Sequence, residues 1–147
     1  IIINKLFGNL SNKKIGILGF SFKANTNDTR ESPAIKICKD LLEEGAKLAI
    51  HDPKVDEEKI KSNLKEVIIN DDISNVKIEV TKSIEDVGIG SDAIVILTEW
   101  EEFKLINWNN FCQLMRKPTW IFDCRNIIDK NLIDNNKINL WSLGNNS

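Results

Sequence analysis

Six short apolar runs punctuate this chain, and the segments between them carry helical rather than strand periodicity. That alternation constrains the fold more than any other feature. The runs are Ile15–Leu18, Lys47–His51, Val76–Val80, Ala93–Leu97, Trp120–Phe122 and Ile138–Trp141. Near-continuous apolar runs of this length are what strands buried on both faces require. Between the first two, Ser32-Pro33 supplies an N-cap with proline in the first helical position. Ala34, Cys38 and Leu41 then follow at one-face spacing, and Gly45 ends the helix. Further helices are expected near Asp56–Leu64, after Ser83, at Asn107–Met115 up to the break at Pro118, and weakly near Asp129–Asn135. Strands alternating with helices predict an α/β fold: a doubly wound, mainly parallel Rossmann-like sheet with helices on both faces.

The 147 residues suffice for one domain with a real core. With 20 basic against 22 acidic residues, the net charge of -2 gives no global field for nucleic acid or an anionic membrane. No run approaches the length of a membrane span. Three cysteines, Cys38, Cys112 and Cys124, with no CxxC spacing and the single His51, make a disulfide framework or a metal site a poor reading and fit a reducing cytoplasm.

In a doubly wound sheet, ligands bind at the carboxyl ends of the strands, which directs attention to the loops after Leu18, Ile50, Leu97 and Phe122. The loop after Leu18 is long and is not GxGxxG, since Gly16 and Gly19 stand alone. It presents Lys23 and Arg30 beside a helix N-terminus, so it either holds a phosphate or diphosphate, or leaves Lys23 solvated and Arg30 paired with Asp28 or Glu31. Arg125, after the Trp120–Phe122 strand, either forks onto a phosphate or carboxylate, or pairs with Asp123. Asp52 sits where dinucleotide folds place a ribose-binding acid, but without the glycine fingerprint Asp-Pro turn chemistry is favoured. Glu99 reads as a helix-start acid rather than a site carboxylate. The cysteines offer no nucleophile–base pair.

The stretch Lys14–Ser32 closely resembles the start of the C-terminal, UDP-binding domain of the UDP-glucose 6-dehydrogenases, within the UDP-glucose/GDP-mannose dehydrogenase family. The likeness continues through Glu44-Gly45-Ala46, His51-Asp52-Pro53-Lys54-Val55, Ser91-Asp92-Ala93, Thr98-Glu99-Trp100 with Phe103, Lys117-Pro118, and Ile121-Phe122-Asp123-Cys124-Arg125-Asn126. The resemblance implies a two-domain enzyme that oxidises UDP-glucose twice, to UDP-glucuronate, with NAD. Its catalytic cysteine and most of its NAD contacts lie in an N-terminal half outside this chain. It implies that Phe22, Lys23 and Arg125 touch the UDP-sugar and that Arg30 lies near NAD. No catalytic residue and no metal ligand is expected here. The expected partners are UDP-glucose or UDP-glucuronate, the chain's own NAD-binding half, and further copies in the full-length enzyme. Residues 1–12 are expected to end an interdomain helix or linker, 13–143 to form the UDP-sugar-binding domain, and 144–147 to be a tail. Cys124 stands where the family often has a small glycine. Three alternatives remain: the matching domain of a UDP-N-acetyl-hexosamine or GDP-mannose dehydrogenase, a non-catalytic nucleotide-binding module, and a structural subunit anchored through Trp100, Trp108 and Trp141.

Overall fold

The computed structural model describes residues 10–67 and 77–142. The expectations for residues 1–9, for the strand start at Val76 and for residues 143–147 lie outside that range. Six strands form one sheet: β1 (Lys14–Leu18), β2 (Lys47–His51), β3 (Ile78–Val80), β4 (Ala93–Ile96), β5 (Thr119–Asp123) and β6 (Ile138–Ser142). All pairs are parallel, in the order β3-β2-β1-β4-β5-β6. The chain therefore winds outward from β1 in one direction, returns, and winds outward from β4 in the other. The carboxyl ends of β1 and β4 flank the point of reversal, where open α/β sheets leave a crevice.

Strand periodicity of two sends alternate side chains to opposite faces, and here both faces are covered. Ile15, Ile17, Ala93 and Val95 point into the layer closed by α1 (Pro33–Glu43) and α2 (Glu57–Val67). Leu18, Ile94 and Ile96 point into the other layer, closed by α3 (Ile84–Gly88), α4 (Glu101–Lys104) and α5 (Trp108–Phe111). Ser32 Oγ accepts the Ala34 N–H at 3.2 Å and starts α1, whose buried stripe is Ala34, Cys38, Leu41 and Leu42. Burying each leucine contributes about 1.5–3 kcal/mol.

The expected doubly wound parallel sheet is present, and two helices differ from expectation. The segment 107–115 is helical only over Trp108–Phe111 and continues as a 3₁₀ turn, Cys112–Leu114. Asn109 and Asn110 are poor helix formers, and Met115 must turn extended (φ -94°, ψ 161°) to enter β5. Near Asp129–Asn135 only a 3₁₀ turn, Lys130–Leu132, forms. Asp129 caps the Asn131 N–H at 2.9 Å and Asp134 caps the Asn136 N–H at 3.0 Å. These short polar side chains close local turns in place of a helix. Among the described residues, no helix is long and apolar enough to cross a membrane.

Candidate functional site

The β1 loop begins with a backbone constraint. Gly19 has φ +99°, and a Cβ there would collide with Thr98. Only glycine accepts both the dihedral and the approach. The Gly19 N–H donates to His51 O (2.8 Å) and the Leu97 N–H to Leu18 O (2.9 Å), so the loops leaving β1, β2 and β4 start in register. Thr98 Oγ1 then donates to Ser21 O at 3.0 Å.

The carboxylate of Asp52 holds this junction together. Oδ2 accepts from Phe20 N–H (2.7 Å), Ser21 N–H (3.0 Å) and Trp100 Nε1–H (3.2 Å). Oδ1 accepts from Lys54 N–H (2.8 Å) and Val55 N–H (3.2 Å). The favoured Asp-Pro turn chemistry is therefore present, and the same side chain also clamps two other loops. His51 Nδ1 lies 2.9 Å from Thr81 O and its ring packs edge-on to Phe103, so it serves packing.

Arg125 follows β5 and turns into Asn126 at φ +57°. Its guanidinium crosses the crevice. Nε donates to Leu97 O at 3.0 Å and lies 3.0 Å from Glu99 Oε2, while Nη2 donates to Phe22 O at 3.2 Å. Glu99 Oε1 accepts the Ala24 N–H at 3.4 Å. Loops after β1, β4 and β5 thus meet, and Phe22, Lys23 and Arg125 share one edge of the sheet. Phe22 is 42% exposed. Lys23 is exposed, and its ammonium makes no hydrogen bond or ion pair among the described residues. An arginine has five N–H donors, of which this arrangement engages two. The rest have no partner among the described residues, and free guanidinium donors that meet the loop of an exposed lysine suit an anion with several oxygens.

Several expectations need correction. Arg125 does not take Asp123 as its ionic partner. Asp123 is fully buried and accepts the backbone N–H groups of Arg125, Ile127 and Ile128, fixing the loop from below. Glu99 precedes α4, which carries Glu101 and Glu102 in its first turn, and so lies in the crevice rather than acting as the helix-start acid. Trp100 and Trp108 are buried at 5% and 6% exposure, which removes them as surface anchors.

Arg30 belongs to the same loop but bonds to Asp28 rather than to any of the trio. Nε and Nη2 both donate to Asp28, at 3.1 and 2.9 Å. Its side chain is 88% exposed. The Arg30 side-chain hydrogen bonds hold the Asp28 carboxyl at about 2, below the ordinary 3.8. A depressed carboxyl keeps this pair intact at neutral pH and loses it as the pH falls through about 2. In an NMR titration the Asp28 carboxyl is expected to show its midpoint near 2, and in Arg30→Ala to move back toward 3.8. A midpoint that ignores the substitution would remove the pairing.

The three cysteines are free thiols. Burial pushes Cys124 up to about 11, with Asp123 adding to the effect and Arg125 opposing it. At neutral pH it is a protonated, weakly nucleophilic thiol. No cluster of metal-ligating side chains occurs among the described residues. A dinucleotide does not fit these loops as a resident group. The β1 loop has no GxGxxG, and the Asp52 carboxylate that would meet a ribose is saturated by five N–H donors.

Comparison with known proteins agrees with this geometry. Residues 16–130 match the model of the UDP-glucose/GDP-mannose dehydrogenase family, UDP binding domain. A UDP-glucose 6-dehydrogenase of Drosophila melanogaster is 44% identical over 130 residues, covering 87% of this chain and 27% of that protein. One from Caenorhabditis elegans is 43% identical over 129 residues, covering 88% and 27%. The chain thus spans about a quarter of the length of these curated relatives. Among solved structures, a UDP-D-ManNAc dehydrogenase from Pyrococcus horikoshii superposes with TM-score 0.72 at 29% identity, over 97% of this chain and 28% of that one. A family match over most of the chain, on a sheet whose crevice collects basic groups from the matched motifs, means that the chain belongs to the UDP-glucose/GDP-mannose dehydrogenase family and carries its UDP binding domain.

Proposed function

We propose that this chain is the UDP-sugar-binding part of an NAD-dependent UDP-glucose 6-dehydrogenase, and that its crevice between the β1 and β5 loops grips the diphosphate of the nucleotide sugar. The observation that carries the reading is the bond from Arg125 Nη2 to Phe22 O at 3.2 Å. It brings a cationic fork from one strand end against the residue that precedes the exposed cation of the other. A diphosphate diester carries about two negative charges, and charge-assisted bonds to it are the strong kind. The exposed face of Phe22 is a surface on which a sugar or base ring packs.

Lys23 and Arg125 bind and orient the substrate; the two oxidations to UDP-glucuronate belong to a nicotinamide cofactor held by a separate NAD-binding half, toward which this chain offers Arg30. That half, and further copies in an oligomer, are the protein partners of the reading. The free thiols fit a cytoplasmic setting. UDP-glucose is favoured because the Drosophila melanogaster and Caenorhabditis elegans relatives, at 44% and 43% identity, are both named for UDP-glucose.

The test is calorimetric titration of the purified chain with UDP, UDP-glucose, GDP-mannose and uridine. UDP and UDP-glucose are expected to bind with Kd at or below about 1 mM, uridine far more weakly, and GDP-mannose worse than its UDP counterpart. Equal binding of uridine and UDP would remove the diphosphate grip. No binding of UDP would remove the reading.

A further inference from the structure

Glu99 is an acid set among the crevice loops, and its contacts are unlike those of a solvated surface group. The side chains of its two chain neighbours are both hydrogen-bonded. Thr98 Oγ1 donates to Ser21 O at 3.0 Å, and Trp100 Nε1 donates to Asp52 Oδ2 at 3.2 Å. Its two oxygens then go to two different loops. Oε2 lies 3.0 Å from Arg125 Nε, and Oε1 accepts the Ala24 N–H at 3.4 Å. The side chains of Glu99 and Arg125 are 37% and 34% exposed, so the pair is partly screened by solvent and its ionic attraction alone is modest. What the pair fixes is direction. With Nε held by Leu97 O and Glu99, and one Nη2 proton by Phe22 O, the remaining guanidinium donors have one aim.

We infer that Glu99 is the positioning residue of the anion grip: its two carboxylate oxygens hold Arg125 and the Lys23–Ala24 backbone in one fixed relation, so that both cations address the same diphosphate. The inference rests on the nucleotide-binding reading above and adds to it a residue that does not itself touch the ligand. It also explains why an acid stands in a site built for an anion. Its repulsion acts across the width of the guanidinium and through solvent, whereas its hydrogen bonds set the geometry of the strongest donor. A carboxylate is required because both oxygens must accept. Glutamine has one acceptor oxygen and would turn an NH₂ group toward either Ala24 N–H or Arg125.

The test is a double-mutant cycle on UDP binding, with uridine as the control ligand and thermal unfolding as the check on folding. Glu99→Ala is expected to weaken UDP by about tenfold, the scale of one charge-assisted hydrogen bond, with uridine unchanged. Glu99→Gln, which keeps the size, should fall between Glu99→Ala and the unaltered chain. In an Arg125→Ala background, Glu99→Ala should have almost no further effect, because there is no fork left to aim. The inference is overturned if UDP binds as well or better in Glu99→Ala, if uridine weakens in proportion, or if the loss persists without Arg125. A chain that does not bind UDP at all overturns the underlying nucleotide reading and this inference with it; one that binds UDP but ignores Glu99 overturns this inference alone.

Discussion

Asp52→Ala is expected to lower the free energy of unfolding by about 3–5 kcal/mol, since each buried donor left without an acceptor costs about 1–3 kcal/mol. The substitution strands five N–H groups at once, of which those of Phe20, Ser21, Val55 and Trp100 belong to buried residues. Water entering the vacated space would satisfy some of them, which keeps the cost below a simple sum. Asp52→Asn, with one acceptor oxygen and an NH₂ group facing other donors, should lose roughly half as much. Urea unfolding monitored by tryptophan fluorescence measures both. Against a typical domain stability of about 5–15 kcal/mol the alanine variant would be near its limit. A loss under about 1 kcal/mol would show that the clamp is ornamental. The effect should reach the site as well, because Asp52 fixes the two peptide N–H groups immediately before Phe22.

Arg125→Ala is expected to act on binding far more than on stability. Losing a charged fork to phosphate costs about 2–3 kcal/mol, roughly a 30- to 150-fold weaker Kd for UDP. Stability should fall by less than about 1 kcal/mol, because the guanidinium is partly solvated and its carbonyl partners can turn to water. Arg125→Lys keeps the charge but not the planar fork and should recover only part of the affinity. Uridine, with no phosphate, should bind Arg125→Ala as it binds the unaltered chain. Titration calorimetry on the three proteins decides the matter, and equal losses for UDP and uridine would show that Arg125 only props the loop.

The sheet was readable in the sequence wherever burial left a mark on composition. Ile15–Leu18 and Ala93–Leu97 are apolar on both faces because helices cover both, and the Ser32-Pro33 and Gly45 signals bracket α1 closely. The last third was less readable. Asn and Asp there serve as local caps, and a period of apolar residues cannot reveal that polar neighbours close turns first. The cations of the crevice were legible one at a time, because strand-end loops are where such a fold presents ligand contacts. Their partners were not. Glu99 meets Arg125 across 26 positions in the sequence, and Asp52 meets Trp100 across 48. Such pairings follow from strand order, which local periodicity does not encode. Asp52 carried a signal in its Asp-Pro turn, but nothing local announced the indole and the two amides that complete its shell.

Strand order also dictates a sequence of events. β1 meets β2 through a helical crossover, Lys14 beside Lys47, whereas its other neighbour enters at Ile15 beside Ala93, after α2, β3 and α3 have been laid down. Closing the longer loop carries the larger entropic cost, so that second seam belongs to the slow, late part of assembly. The proposed grip for a nucleotide straddles that seam. A half-made intermediate holding only the first β-α-β unit therefore has no competence for ligand, and a bound nucleotide draws the equilibrium toward the complete molecule alone.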